Sequence, residues 1–194
     1  MVNHILLQII KFLSHQVSFS DCIEGRKCAY FSGESYLSVN YLTNSFHTWK
    51  TFTIDLWHKP SHLVTVGLLT NGLASTGCCS SPTVSITTTN GQLNSRVALK
   101  DRAAQLKGRV VLNKWNYVSL VKDYDTNSMY VNGEMSDQQE LKGDLLPSLC
   151  PMMFGIGRNQ AFFQGQMDKI CLYKEALTQQ QVSGEYVKLM PNGG

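Results

Sequence analysis

The chain has 194 residues, 43% of them hydrophobic and 16% charged, enough for one substantial domain with its own core. Eight Phe, eight Tyr and three Trp exclude a disordered tail, and no apolar run approaches the roughly 20 residues that span a bilayer. Seventeen Lys and Arg against fourteen Asp and Glu leave a formal charge of +3, too weak a surplus to argue for nucleic acid.

The first segment stands apart. Ile5, Leu6, Ile9, Ile10 and Leu13 recur at helical spacing. As a secretory signal the stretch is poor: no Lys or Arg opens it, Lys11 interrupts the apolar run, and no A-x-A site follows. We expect residues 1–16 to be a linker or flanking segment, 17–190 to be one domain, and 191–194 to be a tail. The whole reads as a domain cut from a longer protein.

From Val17 onward, short β-rich runs alternate with turn residues at intervals of roughly ten, the pattern of an all-β sandwich. Strands are expected over 29–31, 36–39, 51–57, 63–69, 83–88, 93–99, 109–112, 115–122, 128–132, 152–156 and 166–173. Phe52, Ile54 and Leu56 alternate with Thr53 and Asp55, which fits one buried face and one wet face. Asn90-Gly91 and Asn132-Gly133 are hairpin signals, because a type I′ turn needs positive φ at both central positions. One helix is expected near the C-terminus, where Thr178 and Gln181 stand at capping-box spacing.

Six cysteines, Cys22, Cys28, Cys78, Cys79, Cys150 and Cys171, lack C-x-x-C and zinc-finger spacing. Their even number suits up to three disulfides in an oxidising compartment. The connectivity stays open, with Cys78–Cys79 the least favoured pair because its small ring strains the intervening peptide.

Three stretches, in order, carry a family resemblance. The first is Ala29-Tyr30-Phe31-Ser32-Gly33-Glu34-Ser35-Tyr36-Leu37, followed by Phe52-Thr53-Ile54-Asp55-Leu56-Trp57. The second is Trp115-Asn116-Tyr117-Val118-Ser119, followed by Met129-Tyr130-Val131-Asn132-Gly133. The third is Phe163-Gln164-Gly165-Gln166-Met167-Asp168 with Leu172-Tyr173 and Ala176-Leu177-Thr178. Together they resemble the concanavalin A-like lectin/glucanase superfamily, in its laminin-G-like and pentraxin-like branch. The resemblance implies a jelly-roll sandwich of two antiparallel sheets with six or seven strands each.

Glycosidases of such a fold need two carboxylates roughly 5 to 9 Å apart. The local acidic cluster Glu134, Asp137 and Glu140 follows a turn and reads as a polar loop, and no G-x-S-x-G elbow occurs. His58 and His62 are spaced for a metal only on a helix, and Lys59-Pro60-Ser61 between them argues for a surface loop. Relatives often hold calcium at the sandwich rim through oxygen ligands. The residues matching that pattern are Glu34 and Asp168, a thin acid supply, so calcium is the only cofactor entertained and none is required.

Trp57 and Trp115 are expected in the core between the sheets, and Phe162-Phe163 as a loop anchor or an exposed patch. Trp49 either stacks on a sugar or plugs one end of the sandwich. Lys100, Arg102, Lys107 and Arg109 put four positive charges within ten residues and are the candidate contacts for an anionic partner. The reading is a non-catalytic extracellular interaction module that binds glycans or matrix proteins through rim loops, without nucleic acid or membrane insertion. A structural component of an extracellular matrix, such as that of mollusc shell, and a glycosidase of the same fold are the alternatives.

Overall fold

The fold comes from a computed structural model, which describes residues 13–22, 27–39, 46–62, 64–73 and 81–189. The strands in chain order are β1 Leu13–His15, β2 Ser18–Asp21, β3 Lys27–Ser32, β4 Tyr36–Val39, β5 Thr51–Pro60, β6 Val66–Thr70 and β7 Val84–Thr89. They continue as β8 Gln92–Ala98, β9 Ala103–Arg109, β10 Asn116–Asp123, β11 Thr126–Val131, β12 Glu134–Glu140, β13 Met152–Phe154 and β14 Gln164–Tyr173, before the helix α1, Gln179–Leu189. Two seven-stranded antiparallel sheets result: sheet A in the order β1-β4-β13-β6-β7-β8-β9, and sheet B in the order β12-β11-β10-β5-β14-β3-β2. The expected sandwich and its short C-terminal helix are both present.

The main core lies between the sheets. Phe52, Ile54 and Leu56 of β5 and Val118 and Leu120 of β10 meet Ile86, Leu93, Val97 and Leu106 from sheet A. The period of two sends the intervening residues to the other face, so Trp57 does not enter this core as expected. It packs outward, 5.4 Å from the Tyr117 ring and 5.6 Å from the Tyr186 ring of α1. Trp115 packs against the same outer cluster. Sheet B is therefore buried on both faces where α1 covers it, and open beyond.

Both hairpin signals hold. Asn90 and Gly91 have φ of 51° and 77°, and Asn132 and Gly133 have φ of 53° and 81°. The capping box also forms: Thr178 N–H donates to Gln181 Oε1 at 2.8 Å, and Gln181 N–H donates to Thr178 Oγ1 at 3.3 Å. Thr178→Ala should lower stability by about 1 kcal/mol, read as a lower midpoint in urea with an unchanged slope. A variant as stable as the parent would mean that packing of Val182 and Tyr186 alone holds the helix.

Several expectations are corrected. Leu13–His15 pairs with β4 rather than belonging to a linker. The expected strand at 109–112 is displaced to Ala103–Arg109, and Glu134–Glu140 is a strand rather than a loop. β5 runs to Pro60, so His58 is a fully buried strand residue rather than a surface one, its ring 6.2 Å from Phe163. Phe163 is fully buried, in edge contact with Phe31.

The cysteines divide. Cys22 and Cys28 form a disulfide that ties the end of β2 to β3, and Cys150 is also disulfide-bonded. Cys171, expected among the bridged set, is a buried free thiol whose ionisation burial pushes up to about 11. Cys78 and Cys79 lie outside the described residues. Among the described residues no helix is long and apolar enough to cross a membrane.

Candidate functional site

Charge is divided between the sheets. The seven strands of sheet A contain no Asp or Glu. Those of sheet B hold Asp21, Asp55, Asp123, Glu134, Asp137, Glu140 and Asp168.

The outer face of sheet A follows from strand alternation. Leu93, Ser95 and Val97 of β8 and Ala104, Leu106 and Gly108 of β9 are buried, leaving Gln92, Asn94 and Arg96 beside Gln105, Lys107 and Arg109 outside. The register sets Arg96 opposite Gln105, Asn94 opposite Lys107, and Gln92 opposite Arg109. Thr87 and Thr89 of β7 continue the polar surface next to Asn94 and Gln92. Amides, hydroxyls and three cations thus share one face. Among the described residues, no carboxylate pairs with Arg96, Lys107 or Arg109.

Arg96 is held in place by donating from its guanidinium to Pro82 O at 2.8 Å. Burial first, and the positive charge of Arg158 second, push its ionisation below the usual arginine range.

The free edge of β9 is closed by side chains of β12 rather than by another strand. Lys107 N–H donates to Asp137 Oδ2 at 2.9 Å, Gln105 N–H to Gln139 Oε1 at 2.9 Å, and Ser136 Oγ to Lys107 O at 2.9 Å. This satisfies backbone groups that an edge strand otherwise offers to other chains. Beside it runs an open groove of about 460 Å³, walled by Lys107, Arg109 and Gln92 on one side and Glu134, Met135 and Ser136 on the other.

The four basic residues singled out in the sequence therefore separate. Lys107 and Arg109 alternate on the exposed face of β9, whereas Lys100 is exposed in the turn before that strand. Arg102 is committed to Lys142 O at 2.9 Å. Arg96 and Arg158 were missed. Gln92-x-Asn94-x-Arg96 does alternate, but only the β8–β9 register reveals that it faces the same way as Lys107 and Arg109.

Trp49 is the plug rather than the platform. Its ring is buried against Phe46 at 5.4 Å, with Lys174 Nζ lying 5.5 Å from its centroid. Glu34 sits exposed in the β3–β4 turn, beyond Ser32, which pairs with Gln164. Asp168 is four residues further along β14, about 13 Å at strand spacing, so the two carboxylates are not brought together around one ion. Asp168 gathers instead with Cys22 and Cys28, their ligand atoms within 4.8 Å of one another, but both sulfurs are spent in the disulfide. Of the acidic trio, Asp137 uses both oxygens in hydrogen bonds, one to Lys107 N–H and one to Gln138 N–H.

A laminin G family model, described as the concanavalin A-like lectin/glucanases superfamily, matches residues 31–183. No curated protein sequence matches the chain. Among solved structures, domain 4 of AbnA, an extracellular arabinanase from Geobacillus stearothermophilus in complex with arabinotriose, superposes with a TM-score of 0.67 at 19% identity, covering 88% of this chain and 81% of that one. The botulinum neurotoxin type G receptor binding domain gives 0.68 at 12% identity, over 92% of this chain and 46% of that one. The botulinum neurotoxin serotype D ligand binding domain, in complex with N-acetylneuraminic acid, gives 0.66 at 12% identity over 91% and 46%. This chain thus spans less than half the length of the toxin domains it matches, and at these identities the likeness establishes the fold.

Proposed function

Because the chain belongs to the concanavalin A-like lectin/glucanases superfamily, its family model spanning residues 31–183, we propose that it is a non-catalytic extracellular module that binds acidic glycans on the outer face of sheet A. The observation that carries this reading is the charge division: a polar sheet face with Arg96, Lys107 and Arg109 and no acidic residue in any of its strands. Hydroxyls and amides of Thr87, Gln92, Asn94 and Gln105 stand between the cations, as sugar hydroxyls require. The disulfides at Cys22–Cys28 and Cys150 suit an oxidising, extracellular setting.

The test is retention on immobilised heparin. The parent should elute well above physiological salt, and a variant with Arg96, Lys107 and Arg109 all changed to Gln should elute near 0.15 M, where the Debye length is about 8 Å. Equal retention of parent and variant would overturn the assignment of this face.

A further inference from the structure

We propose a second saccharide site on the opposite side of the molecule, a groove on the outer face of sheet B that takes an acidic sugar with its ring on Tyr30 and its carboxylate on Lys59. It does not rest on the sheet A reading, because the outer faces of the two sheets point in opposite directions.

The groove is built by register across four strands distant in sequence. Ser18 of β2 lies opposite Tyr30 of β3, Tyr30 opposite Gln166 of β14, and Gln166 opposite Lys59 of β5. With neighbouring strands about 4.8 Å apart, this row spans about 14 Å, the reach of a short oligosaccharide. α1 covers the far half of sheet B and leaves this half open, giving a groove of about 390 Å³.

Each member has a chemical use. Tyr30 keeps 38% of its surface exposed in the groove, a flat apolar face of the kind that packs against the C–H face of a pyranose. Gln166 donates from Nε2 to Ser20 Oγ at 3.1 Å, so the amide is fixed and its carbonyl oxygen is free to accept from a sugar hydroxyl. At Gly165, which lines the groove, φ is +141° and a Cβ would lie 2.2 Å from Lys59 O, so β14 approaches β5 closely there.

Charge selects the sugar class. Lys59 is half-buried in the groove and has no ion-pair partner among the described residues. Among the described residues that line the groove the one acid, Asp21, is already paired with Lys27 at 2.5 Å. A carboxylate-bearing ligand supplies the missing counter-charge through a charge-assisted hydrogen bond.

The full chain, isotopically labelled, would be titrated with methyl glucuronide and, separately, with methyl glucoside, following backbone amide shifts. Shifts should centre on Tyr30, Lys59 and Gln166, with the glucuronide binding about tenfold tighter than the glucoside. Lys59→Gln should erase that preference. Tyr30→Ala should weaken both ligands about tenfold while Tyr30→Phe keeps binding, and both positions are exposed enough to leave the melting temperature near that of the parent. Shifts confined to β8 and β9 would overturn this site and leave the sheet A reading standing. Equal affinity for the two glycosides, or Tyr30→Ala binding like the parent while folded, would also overturn it.

Discussion

Gly67→Ala should destabilise the protein by about 4 kcal/mol or more, at the upper end for single substitutions. A Cβ built on Gly67 lies 1.9 Å from Gly157 N, 2.0 Å from Gly157 Cα and 2.4 Å from Ile156 C. All three are backbone atoms, so no side chain can rotate away. The contact is held from both sides, because Gly67 N–H and Gly157 N–H both donate to Ala161 O, at 2.8 and 3.0 Å. Making room for one methyl must separate β6 from the 155–157 segment and break those bonds, beyond the usual overpacking cost of about 1–3 kcal/mol. For a domain of this size the melting temperature should fall by about 10 °C. The matched control is Gly184→Ala on α1, where a Cβ meets nothing within 4 Å. There the same chemical change should stabilise by about 0.5–1 kcal/mol, since glycine is a poor helix residue. A Gly67→Ala variant that melts with the parent would show that β6 and the 155–157 segment are not in fixed contact.

What could be read from the sequence was whatever a local pattern encodes. Phe52, Ile54 and Leu56 announced β5 by alternation, the two Asn-Gly pairs announced their hairpins, and Thr178 with Gln181 announced α1. What failed had no local pattern to show. β12 is exposed along nearly its whole length and offers no apolar face, so its seven residues look like a polar loop. β9 buries only Ala104, Leu106 and Gly108, two of them too small to register as a core stripe; Gly108 is small because a Cβ there would lie 2.8 Å from Val131 and 3.1 Å from the Met129 sulfur. Trp57 is expected in the core from its place in the family motif, while strand parity puts it outside, under a helix. The candidate sites were the least legible. Tyr30, Lys59 and Gln166 become neighbours only through the order β5-β14-β3, and Arg96 joins Lys107 and Arg109 only through the β8–β9 register.

The pH profile of stability should be governed by two buried groups that oppose each other, and Asp55→Asn should separate them. Asp55 faces α1 on the outer side of β5, and burial raises its carboxyl from 3.8 to about 7. Tyr117 donates its hydroxyl to Asp55 Oδ2 at 2.7 Å, while Ser119 stands directly across the strand pair. Hydrogen bonds from Ser119 and Tyr117 to the carboxyl oppose the rise, but burial outweighs them. The unfolded chain releases the carboxyl proton above about 3.8 and the folded one holds it to about 7. The contribution of Asp55 is therefore fully present below pH 3.8 and is lost as pH rises towards 7. The loss is about 1.4 kcal/mol per pH unit, about 4 kcal/mol in all. His58 acts in the reverse sense. Burial lowers its imidazole from 6.5 to about 3, so its contribution is present above 6.5 and lost as pH falls towards 3. Over the shared window the two slopes nearly cancel, and the parent should show a flat profile. Asparagine reproduces the neutral acid but releases no proton on unfolding. The stability of Asp55→Asn relative to the parent should accordingly climb by about 4 kcal/mol between pH 4 and 7, and the variant alone should lose stability on acidification through His58. Denaturant titrations at half-unit pH steps measure this directly. A difference between variant and parent that stays constant across that window would mean that Asp55 is ionised beneath the helix.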